Sequence, residues 1–476
     1  MRTAIGHILP SSVISRRLSQ LLSTLSILTL TLALLLGTRN WSSSAQVLTV
    51  PIVLESLFII VAVAWDRVHV EDGIVSPIGL FLALEWVRGC LVPLLDMLTG
   101  PTSLPYRHPS SASASMTAAL LATAFGVCVF VGWSLLPVKP SAATVHKRVI
   151  GASETVAWTL TSLGLFGVAL RFPSGDWLAF LRGEYSAVSA SAAGITGFVG
   201  SVLRPLLPVG VYLLWEAGGR RWLRPAVVLL IPAACLALAS FSLNRASLLL
   251  PPLALLLAAS RLRGSLSFRV VGGCLAVGAI AFLTLGAIRT DILNSQGGRF
   301  AVVEADRSLW ATAIGTLQVY GQSPYLTGVL YERGNLTVMN GHSLVNSFVS
   351  PFPSVGAQSR DRSGSSLYNR QIYGSLPVRD QILPLWVEVE KSLGLAAMLM
   401  AGLAAGAIMR LVDAMLRRAR DSLEFYGLSL ASLWMAQVSV TSLQVLVQVA
   451  LYFLLVPWVI ARALRSNGRL AGRLIA

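Results

Sequence analysis

Arginines within or beside apolar segments are the first candidates for chemistry in this chain. Arg204 lies inside an apolar segment, and Arg171, Arg245 and Arg289 stand at the ends of neighbouring ones. A charge within a bilayer is costly, so each such residue marks a site by default. Guanidinium groups bind phosphate oxygens in a bidentate way and stay charged when partly buried. The four arginines therefore predict a site for the diphosphate of a lipid-linked substrate. The alternative is that each side chain extends to lipid headgroups.

Three residues late in the chain are candidates for a general base. His342 lies in the segment NGHSLVNSFVSPFP, where it would accept a proton from a sugar hydroxyl near neutral pH. Glu388 and Glu390 lie in PLWVEVEKSLG, and because they are two residues apart, at most one of them would face a site from a helix. The choice of base stays open among these three and the weaker candidates Asp291, Glu332, Asp361 and Asp380.

Three further charged residues lie in early apolar segments. Glu85 and Arg88 are three residues apart, so they share a helix face and are interpreted as a structural ion pair. Glu55 has no charged neighbour in its own segment. It is either protonated there or faces Arg88.

Metal and nucleotide chemistry have no signature here. The four cysteines lie in apolar segments without metal-ligand spacing. No phosphate-binding glycine loop, HExxH motif or nucleophile elbow is present. We therefore expect no metal and no cofactor, and an enzyme built on this chain would need a substrate that carries its own activated bond.

The amino-acid composition indicates the class of protein to which this chain belongs. Of the 476 residues, 55% are hydrophobic and only 12% are charged, and the mean hydropathy is +0.71. Soluble proteins have about twice this share of charged residues, so a water-soluble enzyme, a disordered chain and a disulfide scaffold are excluded. The net charge of +16 comes in short clusters between apolar segments, which is typical of topology determinants and not of a nucleic-acid surface. The sequence predicts an all-α integral membrane protein.

Hydropathy predicts about twelve transmembrane helices. They lie near 19–37, 46–65, 75–97, 116–136, 150–170, 195–216, 222–243, 246–260, 269–289, 391–411, 425–441 and 443–462. The last two come from one uncharged stretch that we divide near Thr441. With the N-terminus in the cytoplasm, the cytoplasmic segments hold 21 basic residues and the short outer segments 6. Because basic residues are retained inside, both termini are predicted to be cytoplasmic.

One long extracytoplasmic loop divides the predicted helices. Residues 1–289 hold helices one to nine, 290–390 form the loop, and 391–476 hold helices ten to twelve with a cytoplasmic tail. An amphipathic pattern over 303–320 predicts a helix lying on the membrane. Aromatic residues of the loop are expected to stack on sugar rings: Tyr320, Tyr325, Tyr368, Tyr373 and Trp310.

This layout resembles the O-antigen polymerase (Wzy-type) family and is similar to O-antigen ligases. The resemblance is carried by five segments spread over most of the chain: SPIGLFLALEWVRG (76–89), LNRASLLLPPLALLL (243–257), YGQSPY (320–325), NGHSLVNSFVSPFP (340–353) and ILPLWVEVEKSLGLAAMLMAG (382–402). It implies a GT-C-like membrane glycosyltransferase in the bacterial inner membrane, with its active site on the extracytoplasmic face. Such an enzyme joins undecaprenyl-diphosphate-linked oligosaccharide repeats, with inversion and without a metal.

The resemblance also implies roles and partners. His342 is the leading base, with Glu388 and Glu390 as the other candidates, and the four arginines bind the leaving diphosphate. Membrane lipids, a chain-length regulator and a flippase of the same pathway are the expected partners, and nucleic acid is not. Two other functions remain open: a ligase that transfers finished glycan to lipid A core, and a non-enzymatic transporter of lipid-linked oligosaccharide. The inner halves of the predicted helices are almost purely apolar, which counts against the transporter. A non-catalytic assembly subunit is a further alternative.

Overall fold

The structure is a computed structural model, and it describes fourteen stretches of the chain. They are residues 22–34, 44–66, 76–99, 110–136, 154–170, 195–217, 250, 253–254, 309–332, 339–352, 359, 361–373, 382–419 and 422–463. Within these stretches all regular structure is helical. Five of the described helices are long and apolar enough to cross a membrane. The described part of the chain is therefore all-α, and it contains helices suited to a membrane, as composition predicts.

We number the described helices in chain order. They are α1 (Leu22–Leu34), α2 (Thr49–Asp66, after a 3₁₀ turn over Ser44–Leu48), α3 (Pro77–Thr99, with a π turn over Val87–Leu91), α4 (Ala112–Leu135), α5 (Glu154–Ala169), α6 (Ile195–Leu203), α7 (Leu206–Ala217), α8 (Leu309–Tyr320), α9 (Pro324–Thr327), α10 (Gly341–Val349), α11 (Gly364–Tyr373), α12 (Leu385–Leu393), α13 (Leu395–Arg418), α14 (Ser422–Met435) and α15 (Leu443–Ala463, with a π turn over Ala450–Leu455).

Five predicted transmembrane helices coincide with the long apolar helices α2, α3, α4, α13 and α15. The division of the uncharged stretch near Thr441 is confirmed, since the chain turns over 436–442. The helix predicted at 425–441 extends too far, because α14 ends at Met435. The predictions at 222–243, 246–260 and 269–289 fall almost entirely outside the described residues, so the count of twelve stays a prediction.

Glycines allow α4 and α13 to pack backbone against backbone. A Cβ on Gly406 would overlap the carbonyl oxygen of Val129, and one on Gly402 would lie 2.8 Å from the Cβ of Cys128. Contacts advance along both helices in the same direction, so α4 and α13 are parallel. A parallel pair requires an odd number of membrane crossings between them, and the predicted order has five. In contrast, α5 runs antiparallel to α6 and α7, with Gly164 against Leu207.

The segments between α8 and α12 cover one end of the helix bundle. They contact the beginnings of α2 and α4 and the end of α3. Leu48 packs with Tyr325 and Leu326, the Tyr325 carbonyl accepts hydrogen bonds from both the backbone N–H and the hydroxyl of Ser110, and Asp96 binds two loop side chains. We call this the loop end of the bundle. The helix expected within 303–320 is present as α8.

Candidate functional site

The amphipathic helix α12 positions the two glutamate candidates. It begins after Pro384 and buries its first five residues, Leu385 to Val389. Glu388 is fully buried, whereas the side chain of Glu390 is 19% exposed. The two carboxyl groups therefore diverge, as their spacing predicts.

Glu388 lies where four helices meet. Its Oε2 accepts the backbone N–H of Leu443 at 3.2 Å, which caps the beginning of α15. The hydroxyl of Ser347, on α10, donates to the same carboxyl group. Its Oε1 has no hydrogen-bond partner and lies against Gly364 of α11, where an added Cβ would come within 2.6 Å. One oxygen is thus held in place, and the other is buried without a donor.

Burial raises the pKa of Glu388 to about 7, and the hydrogen bonds from Ser347 and Leu443 offset only part of that rise. A carboxyl group with this pKa is partly ionised at neutral pH. It can accept a proton in one step and release it in the next, as general base catalysis requires.

Glu390 takes part in a separate surface cluster. It accepts a hydrogen bond from the hydroxyl of Tyr331 at 3.0 Å and lies 3.6 Å from the ammonium group of Lys391. The same ammonium lies 3.8 Å from the centre of the Tyr331 ring. Burial, and then the adjacent carboxylate, raise the pKa of Tyr331. Both neighbours of Glu390 come from the chain itself, so this cluster explains its position without a substrate.

His342 lies in the first turn of α10. Asn340 caps this helix through a reciprocal pair of hydrogen bonds with Ser343. The buried residues of α10 are Ser343 and Ser347, and Ser347 is the residue that reaches Glu388. His342 is exposed, whereas Glu388 of α12 lies against the buried face of α10, so the structure does not bring the two base candidates together.

Arg204 lies at an interruption between α6 and α7. Pro205 follows it, and the chain makes a turn over 204–205, as expected for a proline within a helix. The side chain of Arg204 is 8% exposed, and its guanidinium carbon lies 6.0 Å from the centre of the Phe453 ring. Gly167 of α5 allows the close approach, because a Cβ there would overlap the backbone nitrogen of Arg204. The other predicted diphosphate ligands, Arg171, Arg245 and Arg289, lie outside the described residues.

Helix α15 connects the surroundings of Glu388 to those of Arg204. Leu443, which Glu388 caps, and Phe453, which Arg204 faces, are ten residues apart in α15, or about 15 Å along its axis. Between them, the hydroxyl of Tyr452 donates to the carbonyl of Pro351, just beyond the end of α10. Residues 341–351 therefore contact Glu388 through Ser347 and contact Tyr452, the neighbour of Phe453, through Pro351.

Two of the four predicted sugar-binding tyrosines lie inside the protein. Tyr325 is 6% exposed and Tyr368 is fully buried, with its hydroxyl donating to the carbonyl of Leu326. Tyr320 is half-buried at the end of α8. Tyr373 ends α11, and its side chain lies outside the described residues. In this conformation the rings of Tyr325 and Tyr368 pack into the loop, and stacking on a sugar stays a prediction.

Charged residues of α2 and α3 form a network that sequence reasoning saw only in part. The predicted pair of Glu85 and Arg88 is confirmed, with Arg88 Nε donating to Glu85 Oε2 at 3.1 Å. Glu55 does face Arg88, at 3.6 Å, and it accepts the hydroxyl of Thr123 at 2.6 Å. All three ionisable side chains are 5% exposed or less.

One more buried acid, Asp96, was not among the residues singled out from the sequence. Asp96, near the end of α3, accepts hydrogen bonds from Gln318 at 2.7 Å and from Ser323 at 2.6 Å. Its signal in the sequence is an acid within a predicted transmembrane helix, but the partners lie more than 220 residues away along the chain. Spacing alone could not pair them.

Among the described residues, no group of three or more His, Cys, Asp and Glu side chains is placed to hold a metal ion. The chain was also compared with protein-family models, with curated proteins and with solved structures, and none of them matches.

Proposed function

We propose that this protein is an inverting glycosyltransferase of the bacterial inner membrane. It would polymerise undecaprenyl-diphosphate-linked oligosaccharide repeat units on the outer leaflet, as the family resemblance implies. One observation carries the proposal: a buried carboxyl group with a pKa of about 7, Glu388, and a buried arginine, Arg204, flank the same helix. A base and a diphosphate ligand are the two groups that this reaction needs.

The reaction assigns each group one task. Glu388 accepts the proton of an acceptor sugar hydroxyl, whose oxygen attacks the anomeric carbon of the donor. The bond from that carbon to the lipid diphosphate breaks, and the diphosphate leaves with additional negative charge. Arg204 stabilises that charge where it develops, which lowers the barrier more than equal binding of substrate and transition state would.

The positions of the two groups can be compared with the size of the reacting centre. A base within hydrogen-bond distance of the hydroxyl, an attack distance of about 3 Å and a phosphate beyond the anomeric carbon together span about 10 Å. The residues of α15 that the two groups contact, Leu443 and Phe453, are about 15 Å apart along the helix axis, so the two side chains must turn toward each other to reach one substrate. Glu388 is fully buried here, so a hydroxyl gains access only when α10 and α11 move away from α12.

Turnover by purified protein with single variants tests these assignments. The substrate is an undecaprenyl-diphosphate-linked repeat unit, and the products are longer lipid-linked glycans and released lipid diphosphate. Glu388→Gln and Arg204→Gln should each lower the rate by a factor of about 100 or more, the range for loss of a general base or a charge-stabilising group. Arg462→Gln, which removes an arginine that lies over Trp458, is the matched control and should keep wild-type turnover.

Other outcomes reassign the site. If His342→Ala abolishes turnover and Glu388→Gln does not, the base is His342, and Glu390→Gln tests the remaining candidate in the same way. If the repeat unit is consumed only when lipid A core is supplied, the protein is a ligase. If neither acceptor supports turnover while the lipid-linked substrate crosses the membrane of proteoliposomes, it is a transporter.

A further inference from the structure

Two carboxyl groups and one guanidinium group meet deep within the helix bundle. Oε2 of Glu55 and Oε2 of Glu85 both converge on Nη2 of Arg88. Arg88 lies eleven residues before the end of α3, or about 16 Å below the loop end. With both carboxyls ionised the site would hold a net charge of −1, which is costly within a membrane. With one proton between them the site is neutral.

Because one oxygen of each carboxyl group approaches the same nitrogen of Arg88, the two carboxyls lie close together, and a hydrogen bond between them requires a proton. Glycines make room for this arrangement. A Cβ on Gly89 would overlap the side chain of Glu55, and one on Gly126 would lie 2.9 Å from Oε2 of Glu85. The free oxygens, Oε1 of both residues, have no other partner. The backbone is therefore shaped around the pair.

A small cavity lies between Arg88 and the loop end. Arg88 and Thr123 line its deep side, and Gln322 and Trp386 line its outer side. The amide oxygen of Gln322 and the indole N–H of Trp386 are buried and have no partner. The free volume for a water centre is about 10 Å³, which is room for about one water. A water there would donate to Gln322 and accept from Trp386 or Arg88.

Taken together, the geometry points to a membrane-embedded proton-binding site, in which Glu55 and Glu85 share one proton and exchange it with the loop end through the Thr123 hydroxyl and a water held by Arg88, Gln322 and Trp386. The Thr123 hydroxyl contacts Glu55 and also lines the cavity. On release, a carboxyl proton passes to the Thr123 oxygen while the Thr123 hydroxyl gives its own proton to the water, which leaves as hydronium, and the charge of the site changes from 0 to −1. On uptake the same step runs in reverse.

The neighbouring elements supply few other titratable groups. On α3, Cys90 contacts the hydroxyl of Ser56 at 3.3 Å. From α4, the hydroxyl of Thr123 donates to Glu55. Among the described residues that pack against the pair, Arg88 supplies the single positive charge. The shared proton therefore resides on the carboxyl groups of Glu55 and Glu85.

Infrared spectroscopy of the protein in nanodiscs tests the shared proton. Spectra are recorded at pH 6, and bands are assigned from the difference between wild type and each variant, with Glu388→Gln identifying the band of Glu388. We expect a carbonyl-stretch band of a protonated carboxyl group that disappears in Glu55→Gln and in Glu85→Gln. Asp413→Asn, at a carboxylate paired with Arg410 and Arg417, is the control and should keep the band. A wild-type spectrum without the band, or a band that persists in both glutamine variants, would overturn the proposal.

Hydrogen–deuterium exchange of the same band tests the water path. After a rapid change to deuterated buffer, the band should shift with a rate that Gln322→Leu lowers about tenfold, the factor expected for loss of one hydrogen-bond partner. Trp386→Phe removes the other partner and should slow the shift as well. Both variants keep the carboxyl pair, so the band itself reports that the site is folded. A shift as fast as in wild type in both variants would refute exchange through this cavity.

Discussion

Replacement of Glu388 by glutamine should remove a specific pH dependence of stability. The pKa of Glu388 is raised from 4.5 to about 7 in the folded protein, chiefly by burial. A raised pKa means that folding favours the protonated form. The stabilising contribution is therefore fully present below pH 4.5 and is lost as the pH rises through about 7. Glu388→Gln keeps the shape of the side chain but does not titrate.

The size of the effect follows from the shift. One pKa unit corresponds to about 1.4 kcal/mol, so a rise from 4.5 to about 7 corresponds to about 3 kcal/mol between the two limits. Between pH 5 and pH 8, the free energy of unfolding of wild type should fall relative to that of Glu388→Gln by about 2 to 3 kcal/mol. Since the group is fully buried, solvent screening does not reduce this figure.

Unfolding of the detergent-solubilised protein by increasing dodecyl sulfate, at pH 5 and pH 8, measures this difference. Glu390→Gln is the matched control, because it changes the glutamate two residues away on the other face of α12 and leaves Glu388 in place. It should keep the wild-type pH dependence. If Glu388→Gln follows the same pH dependence as wild type, Glu388 does not titrate in this range, and its assignment as base loses its physical basis.

Three further perturbations test the packing that holds the site. Gly406→Ala should destabilise the protein by about 1 to 3 kcal/mol, because the new Cβ overlaps α4. Gly427→Ala is the control and should not destabilise it, since nothing lies within 4 Å of the new Cβ. Equal unfolding curves for the two variants would contradict this packing. Asp96→Ala leaves two loop donors without an acceptor and should lower the free energy of unfolding by about 2 to 4 kcal/mol. The loss should appear as faster hydrogen exchange over residues 309–327, and unchanged exchange would argue against the contact. Tyr452→Phe removes the hydrogen bond to Pro351 and should speed exchange over residues 341–352 about fivefold, and wild-type rates there would count against it.

The bounds of the helices could be predicted from the sequence where the hydropathy and the residues that begin or end a helix indicate the same positions. The prediction at 46–65 matches the apolar helical stretch Gln46–Trp65, which begins in the 3₁₀ turn before α2. The helix predicted at 116–136 begins earlier, at Ala112, because Ser111 caps it and a run of small residues precedes the apolar segment. The helix predicted at 391–411 is displaced because Gly394, with a φ of 89°, separates α12 from α13. Hydropathy does not detect such a break.

The site was predictable only in its parts. The divergence of Glu388 and Glu390 follows from helix geometry alone, and the pairing of Glu85 with Arg88 follows from their spacing. The contacts of Glu388 with α10, α11 and α15 join residues that are far apart in the chain, so no local pattern could predict them. The burial of Tyr368 likewise depends on how the loop folds over the bundle, which composition does not specify.

The most direct test of the proposed function is a polymerisation assay with the wild-type protein in nanodiscs. The protein is incubated with an undecaprenyl-diphosphate-linked repeat unit and a metal chelator, and the lipid-linked glycans are separated by size. The proposal predicts a ladder of products that differ by one repeat unit, with one lipid diphosphate released for each bond formed. A repeat unit that remains unconsumed at every enzyme concentration, in protein that is folded and monodisperse, would contradict it.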